Sequence, residues 1–168
     1  MAALARALLS ALPRCYDPTV GTFSYTGSLI TARSGNSQTL LQNGQVLIAG
    51  GAGANSAAMF GELYDPSAAT FSDTGSLNLG RSDQTATLLA SGQVLLVGGE
   101  VDVIAQQLLN SSELYDPASG VFILNAQTNS MRFFLSATLL NNGRVLITGQ
   151  ETSAITVTQP VPSELYEP

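Results

Sequence analysis

Three stretches of the chain are mostly apolar, and each follows a short polar turn that contains glycine. The apolar stretches are residues 45–51, 93–99 and 144–150. An apolar run of this kind, rich in β-branched residues and bounded by glycine, predicts a strand that is covered on both faces. The turns before the runs are Asn43-Gly44, Ser91-Gly92 and Asn142-Gly143. Because these residues tolerate the positive backbone angles of a tight hairpin, each turn predicts an antiparallel pair of strands.

The apolar pattern recurs because the chain is a tandem repeat. Tyr-Asp-Pro stands at residues 16–18, 64–66 and 115–117, and Tyr-Glu-Pro at 166–168, with spacings of 48, 51 and 51 residues. The first three tyrosines are each followed seven residues later by a phenylalanine, at Phe23, Phe71 and Phe122. Thr-Gly-Ser-Leu occurs at residues 26–29 and 74–77, and the third copy has lost it around residues 126–129. A fixed period of this length indicates one supersecondary unit copied in tandem.

Each period carries the signals of four short strands. A Thr-Leu-Leu strand and the apolar strand flank the glycine turn, and a third strand ends at the repeated tyrosine. Asp-Pro then starts another turn, and the segment around the phenylalanine is the fourth strand. Four antiparallel strands in about 50 residues are typical of a β-propeller blade. The predicted fold class is therefore all-β, a propeller segment of about three blades that is partial or open.

The order of the repeated residues is specific enough to suggest a family. Each repeat begins with an arginine, at Arg33, Arg81 and Arg132. The glycine turn and the apolar strand follow, and this strand ends in Gly-Gly in two of the copies. Glu-Leu-Tyr and an aromatic residue come next. Over residues 15–168 this order resembles the kelch motif, most of all the bacterial kelch repeats of large extracellular proteins. Two features depart from the family pattern. Phenylalanine replaces the usual tryptophan, and Asn36, Gln84 and Leu135 stand where histidine is often found.

The repeat phase divides the chain. We expect a non-repeat segment at residues 1–14, a partial blade at 15–29, blades at about 33–77 and 81–125, and a partial blade at 132–168. Propellers close with about four to eight blades. Three interpretations remain open: a fragment of a longer propeller, an open arc, or a chain that closes by pairing with a copy of itself. Open blade edges would favour self-association.

Residues 1–14 favour a helix up to Pro13. Arg6 interrupts the apolar core that a secretion signal needs, and Arg14 stands where a small residue is required for cleavage. One interpretation is that residues 1–14 form a short helix, or that they are an artefactual start in place of earlier blades. The other is that they are a secretion signal. The kelch resemblance and the polar composition without lysine imply an extracellular or cell-surface location, with a cytoplasmic one as the alternative.

Charge and composition restrict the partners. The net charge is −6, and the six basic residues are all arginines spread along the chain. They cannot form the basic stripe that nucleic acid requires or a polybasic membrane patch. No apolar stretch reaches the roughly 18 residues of a membrane span. Cys15 is the only cysteine, so no internal disulfide is possible, and its place in the repeat, equivalent to Leu63 and Leu114, predicts a packed thiol.

The sequence argues against catalysis by this chain. Some kelch-type propellers are copper oxidases with histidine ligands, and the chain has no histidine for such a site or for a Ser-His-Asp triad. Glu62, Glu113 and Glu164 recur once per repeat, which favours a structural role. We expect no catalytic residue, metal or cofactor. The alternative is a fragment of an oxidase-like propeller whose catalytic residues lie outside this chain.

Binding is the expected role, with a protein or a carbohydrate as ligand. The loops between second and third strands, at residues 52–61, 100–112 and 151–163, contain the whole variation in repeat length. Loops on one face of a repeat scaffold commonly carry binding. The candidate ligand-binding residues are Arg33, Arg81, Arg132, Glu100, Asp102, Gln106 and Asn110. The alternatives are that the loops only connect strands and that the arginines bind backbone or a neighbouring carboxylate.

Overall fold

The computed structural model describes residues 14–53, 57–102, 107–150 and 162–168, which form β-strands and no helix. The strands are β1 (Arg14–Asp17), β2 (Thr22–Tyr25), β3 (Ser37–Leu40), β4 (Val46–Ala49), β5 (Phe60–Asp65), β6 (Thr70–Ser76), β7 (Thr85–Leu88), β8 (Val94–Val97), β9 (Glu100–Asp102), β10 (Gln107–Leu108), β11 (Ser111–Asp116), β12 (Val121–Gln127), β13 (Phe133–Leu139), β14 (Val145–Gln150) and β15 (Glu164–Tyr166). The all-β prediction is confirmed for these residues. The expectations for the segment before Arg14 fall outside them.

The strands form antiparallel sheets that follow the repeat. The first sheet has the order β3-β4-β5-β6, and the second sheet has the order β7-β8-β11-β12. The third sheet contains β13, β14 and β15, and β1 and β2 form an N-terminal hairpin. Strands β9 and β10 form a small separate hairpin inside the second variable loop. The two complete repeats thus form the two four-stranded antiparallel sheets that the sequence predicts.

The repeated tyrosine and phenylalanine lie directly opposite each other on neighbouring strands. Tyr64 pairs with Phe71 in the first sheet, and Tyr115 pairs with Phe122 in the second. Their ring centroids are 4.8 and 4.6 Å apart, within the range for attractive aromatic pairs. Tyr16 and Phe23 form the same pair in the N-terminal hairpin, at 5.0 Å. The seven-residue spacing is therefore the length of chain that a tight turn needs to bring the two rings into contact, with their planes tilted by 42–45°.

The turn between these strands is held by its aspartate. The same aspartate recurs in three repeats, and we call Asp17, Asp65 and Asp116 the turn aspartates. The carboxylate of Asp65 accepts the hydroxyl of Ser67 at 2.7 Å and its backbone N–H at 2.8 Å, and these bonds lower the pKa of Asp65 below 3.8. At Asp116 the backbone N–H of Ala118 is the main cause of the lowered pKa. The aspartate thus caps the turn that joins the third strand to the fourth.

Neighbouring sheets pack face to face through alternate residues of the apolar strands. Val94 and Leu96 of β8 pack in one cluster with Leu47 and Ala49 of the first sheet. Leu95 and Val97 belong to a second cluster, with residues of the third sheet such as Ile147. All four residues of β8 are buried, which confirms the prediction of a strand covered on both faces.

A hydrogen bond at the hydroxyl of Tyr64, Tyr115 and Tyr166 links each of the three larger sheets to the chain segment that precedes it. Tyr64 shares one with Thr26 at 2.6 Å, and Tyr115 shares one with Thr74 at 2.8 Å. In the third sheet, Asn125 donates its side-chain amide to the hydroxyl of Tyr166 at 2.8 Å. Asn125 therefore takes the place of threonine in the repeat whose Thr-Gly-Ser-Leu motif is lost.

Among the described residues there is no helix that is long and apolar enough to cross a membrane.

Candidate functional site

Each of the three larger sheets is joined by an ion pair between the repeated arginine and the glutamate of its third strand. Arg81 Nη2 lies 2.9 Å from Glu113 Oε1, and Arg132 Nη2 lies 2.9 Å from Glu164 Oε1. Arg33 and Glu62 form the equivalent pair in the first sheet. The side chains of the Arg33–Glu62 and Arg81–Glu113 pairs are completely buried. The two residues of each pair come from different parts of the repeat, the connection that enters the sheet and its third strand.

Each glutamate binds the backbone of the incoming connection. Glu113 Oε2 accepts the N–H of Asn78 at 2.8 Å, and Oε1 accepts the N–H of Leu79 at 3.1 Å. Glu62 accepts the N–H groups of Ile30 and Thr31 in the same way. Both glutamates follow a break in strand register that bends the third strand at this end. The carboxylate therefore fixes the chain where it passes from one sheet to the next.

The same geometry accounts for the charge state of the third glutamate. Burial alone would raise the pKa of Glu164, but hydrogen bonds from Asn129 and Arg132 outweigh it, so the pKa is lowered. The carboxylate is thus ionised near neutral pH, as an ion pair with arginine requires.

Each arginine closes the base of a variable loop. Arg81 Nη1 donates to the carbonyls of Gly98 and Ser111, both at 3.0 Å. Gly98 follows the second strand and Ser111 begins the third, so these carbonyls mark the two ends of the loop. Arg132 makes the same contacts with Gly149 and Pro162. A guanidinium with several fixed acceptors and a carboxylate is the arrangement in which a buried charge is stable.

These contacts favour the structural interpretation of the three arginines. Arg33, Arg81 and Arg132 are at most 1% exposed. Their guanidinium groups point into the protein and bind its own carbonyls and carboxylates. A ring of arginines facing an acidic or carbohydrate ligand would require them to face solvent.

The described parts of the first two variable loops lie side by side. The backbone N–H of Ala57 donates to the carbonyl of Val101 at 3.3 Å, which joins the first loop to the second. Ala52 pairs with Ser34 and Glu100 pairs with Ser82, so each loop also contacts the connection that enters its own sheet. These two loops and the connections therefore share one end of the sheets.

The four candidate residues of the second loop have different surroundings. Glu100 is 8% exposed and exchanges two backbone hydrogen bonds of 2.9 Å with Ser82. Asp102 pairs with Gln107 in the small hairpin, and Gln106 lies outside the described residues. Asn110 is half-buried, and its carbonyl accepts the N–H of Thr128 at 2.7 Å. Glu100 and Asn110 thus help to build the base of the loop.

Three exposed apolar side chains, two in the first loop and one in the connection that follows the first sheet, are not among the candidate residues. We call them the apolar patch: Met59, Phe60 and Leu79, which are 43%, 53% and 39% exposed. The side chain of Met59 lies over Gly80, next to Leu79 along the chain. A comparison of the repeats could have found this patch, because Met59 and Phe60 are apolar where the second repeat has the polar residues Asn110 and Ser111.

No protein-family model matches the chain, and no curated protein matches it. Within the described ranges, no three side chains of histidine, cysteine, aspartate or glutamate come together as metal ligands.

Proposed function

We propose that the chain is a segment of a kelch-type β-propeller that acts as a non-catalytic binding module for another protein. The sheet order supports a propeller, since each complete sheet runs from its first to its fourth strand through successive antiparallel neighbours and packs against the next sheet. The recurring Arg–Glu pairs fit the kelch resemblance, because they explain why both residues are repeated.

One observation carries the binding role: the described parts of the first two variable loops and the apolar patch share one end of a rigid frame. The ion pairs, the tyrosine hydrogen bonds and the packed apolar strands hold the frame. The loops are the only segments that change the repeat length, and surface loops on such a frame are where binding residues are usually placed. Exposed apolar side chains among polar loops are typical of a protein-binding surface, which favours a protein over a carbohydrate.

The carboxylates of the repeat support a role without catalysis. Glu62 and Glu113 are buried, ion-paired and hydrogen-bonded to backbone amides. A general acid or base must reach a substrate, so these two groups are not available for proton transfer.

A peptide selection tests this proposal. A random peptide library displayed on phage is selected against the immobilised protein, and the enriched peptides are measured with Met59→Asp, Leu79→Asp and Ser91→Asp. Ser91 lies in a hairpin turn at the opposite end of the second sheet and is exposed. We expect apolar peptides whose affinity falls at least about tenfold with either patch variant and is unchanged by Ser91→Asp.

The proposal is wrong if no peptide is enriched over the urea-unfolded protein, or if Ser91→Asp weakens binding as much as the patch variants do. A glycan array with the same three variants distinguishes the carbohydrate alternative. Binding to a glycan that depends on the patch would contradict the choice of a protein partner.

A further inference from the structure

The second sheet ends in an outer strand whose exposed side chains are mostly apolar. Strand β12 lies at the edge of this sheet and, among the described strands, pairs only with β11. Val121, Ile123 and Leu124 are 47%, 56% and 55% exposed, whereas Phe122 is buried in the core that the second sheet shares with the first. None of the seven residues of β12 is charged. An exposed apolar edge strand without a charge is a template for pairing with another strand.

The outer strand of the first sheet shows that the fold does not require apolar residues here. The positions of β6 that are equivalent to the three exposed apolar residues are polar: Thr70, Ser72 and Asp73. They are exposed as well, although β6 contacts the second sheet through the hydrogen bond between Thr74 and Tyr115. Exposure at these positions therefore belongs to the outer strand itself, whichever sheet follows. A charge such as Asp73 protects an exposed edge from pairing, and β12 lacks it.

The backbone of β12 also directs hydrogen-bonding groups away from its own sheet. Along an antiparallel edge strand, every second residue directs both its N–H and its C=O away from the neighbouring strand. The carbonyl of Phe122 accepts the side-chain amide of Asn78 at 3.0 Å, a bond from outside the second sheet. The register with β11 is regular from Val121 to Leu124, so Leu124 faces outward together with Phe122. Leu124, in the middle of β12, is thus placed to exchange two backbone hydrogen bonds with an added strand.

Charge favours a second copy of the chain as the source of that strand. Each chain carries a net charge of −6, so two copies approach each other most easily through an uncharged surface. The nearest turn aspartate, Asp116, lies at one end of the β11–β12 hairpin. In an antiparallel pair the two Asp116 carboxylates are separated by at least the length of the strand, about 24 Å for seven residues. This is well beyond the screening length of about 8 Å at physiological salt.

The strand is also complementary to itself. Full overlap of two antiparallel copies of β12 places Leu124 opposite Leu124 of the second copy. The two Ile123 side chains then lie diagonally across the pair, within reach of each other. Ala126, which stands where β6 has Gly75, and Gln127 complete the overlap without introducing a charge. Pairs with a twofold axis are the commonest assemblies of identical chains.

We propose that two copies of this chain associate through β12, which pairs antiparallel with β12 of the second copy about a twofold axis at Leu124. The two second sheets then form one continuous sheet across the interface. This pairing concerns the outer edge of the sheet, and it does not depend on ligand binding by the variable loops or the apolar patch.

Transferring two residues from β6 to β12 tests the proposal. Ile123→Ser with Leu124→Asp gives β12 the side chains that β6 carries at the same positions of the same fold. Light scattering after size exclusion should give about twice 17.4 kDa for the unchanged chain and the mass of one chain for this variant. The matched control is Ile30→Ser with Met131→Asp, which changes two residues that are each 53% exposed and lie outside β12, and it should keep the double mass. Far-UV circular dichroism should be the same for all three proteins.

Cross-linking tests the register. In a Cys15→Ser background, Leu124→Cys should form an inter-chain disulfide, because the two copies of this residue lie opposite each other. Val121→Cys should not, because the two copies of Val121 are then separated by six residues of strand, about 20 Å.

A single-chain mass at every concentration, assemblies larger than two chains, or a double mass that survives the β12 variant would overturn the proposal. Equal cross-linking at Val121 and Leu124 would do the same. Met59→Asp should weaken the selected peptides and leave the double mass unchanged, so the binding role and the pairing can fail separately.

Discussion

Replacing Arg81 by methionine tests whether the buried ion pair holds each sheet together. The substitution keeps most of the volume of the side chain and removes the donors to Glu113, Gly98 and Ser111. Removing one member of a buried pair costs about 3–5 kcal/mol, because the other charge is left without its partner. Glu113 keeps the N–H groups of Asn78 and Leu79, so we expect a loss near the lower limit, about 3 kcal/mol.

The assay is urea unfolding followed by far-UV circular dichroism. Arg144→Met is the matched control, because the Arg144–Glu167 pair is 46% and 68% exposed and should contribute about 0–1 kcal/mol. Adding Glu113→Gln to Arg81→Met removes the unpaired charge and keeps an acceptor, so it should restore about 1–2 kcal/mol. If Arg81→Met and Arg144→Met destabilise the protein equally, the backbone contacts of Glu113 alone hold the connection, and the reasoning is refuted.

Three further predictions concern acid stability, the tyrosine hydrogen bond and a close backbone contact. The pKa values of the turn aspartates are lower in the folded protein than the ordinary 3.8, so these carboxylates stabilise the fold above that pH and stop doing so as the pH falls through their folded pKa values. The melting temperature should therefore decrease below about pH 4, and an unchanged melting temperature down to about pH 2.5 would contradict this. Tyr115→Phe should cost about 1 kcal/mol in urea unfolding, because the hydroxyl of Thr74 loses its buried partner, whereas Tyr16→Phe, at an exposed site, should cost almost nothing. Gly75→Ala should cost about 2 kcal/mol or more, because its Cβ atom would meet the Gly120 carbonyl oxygen; a cost no larger than that of Ala126→Gly would refute the steric argument.

The sequence contains most of the information that defines the sheets. Asn43-Gly44 forms the turn between β3 and β4, and Gly44 has a positive φ of 86° as the dipeptide predicts. The continuous apolar run of β8 is buried on both faces, because each face meets a different sheet. Both features have a signal in a short stretch of sequence, the dipeptide in one case and the apolar run in the other, so a single sequence is enough to predict them.

Long-range partners and loop details were less predictable. The partner of Arg81 is 32 residues away, and the recurrence of both residues indicates a structural role without showing that they meet. The β9–β10 hairpin lies in a loop with no clear alternation of apolar and polar residues, so nothing local predicts it. The exposure of Met59 and Phe60 depends on how two segments pack, and apolar residues are ordinarily assigned to the core.

The Arg–Glu pair also bears on how an array of this kind grows by duplication. The segment from Arg33 to Glu62 brings both members of its own pair, together with the ends of the loop between them. The amides that the glutamate binds belong to the chain arriving from the preceding unit. A duplicated segment therefore brings a complete ion pair and needs only two backbone N–H groups from its neighbour, which any residue except proline can supply. Units can diverge in their loops while the junctions stay interchangeable.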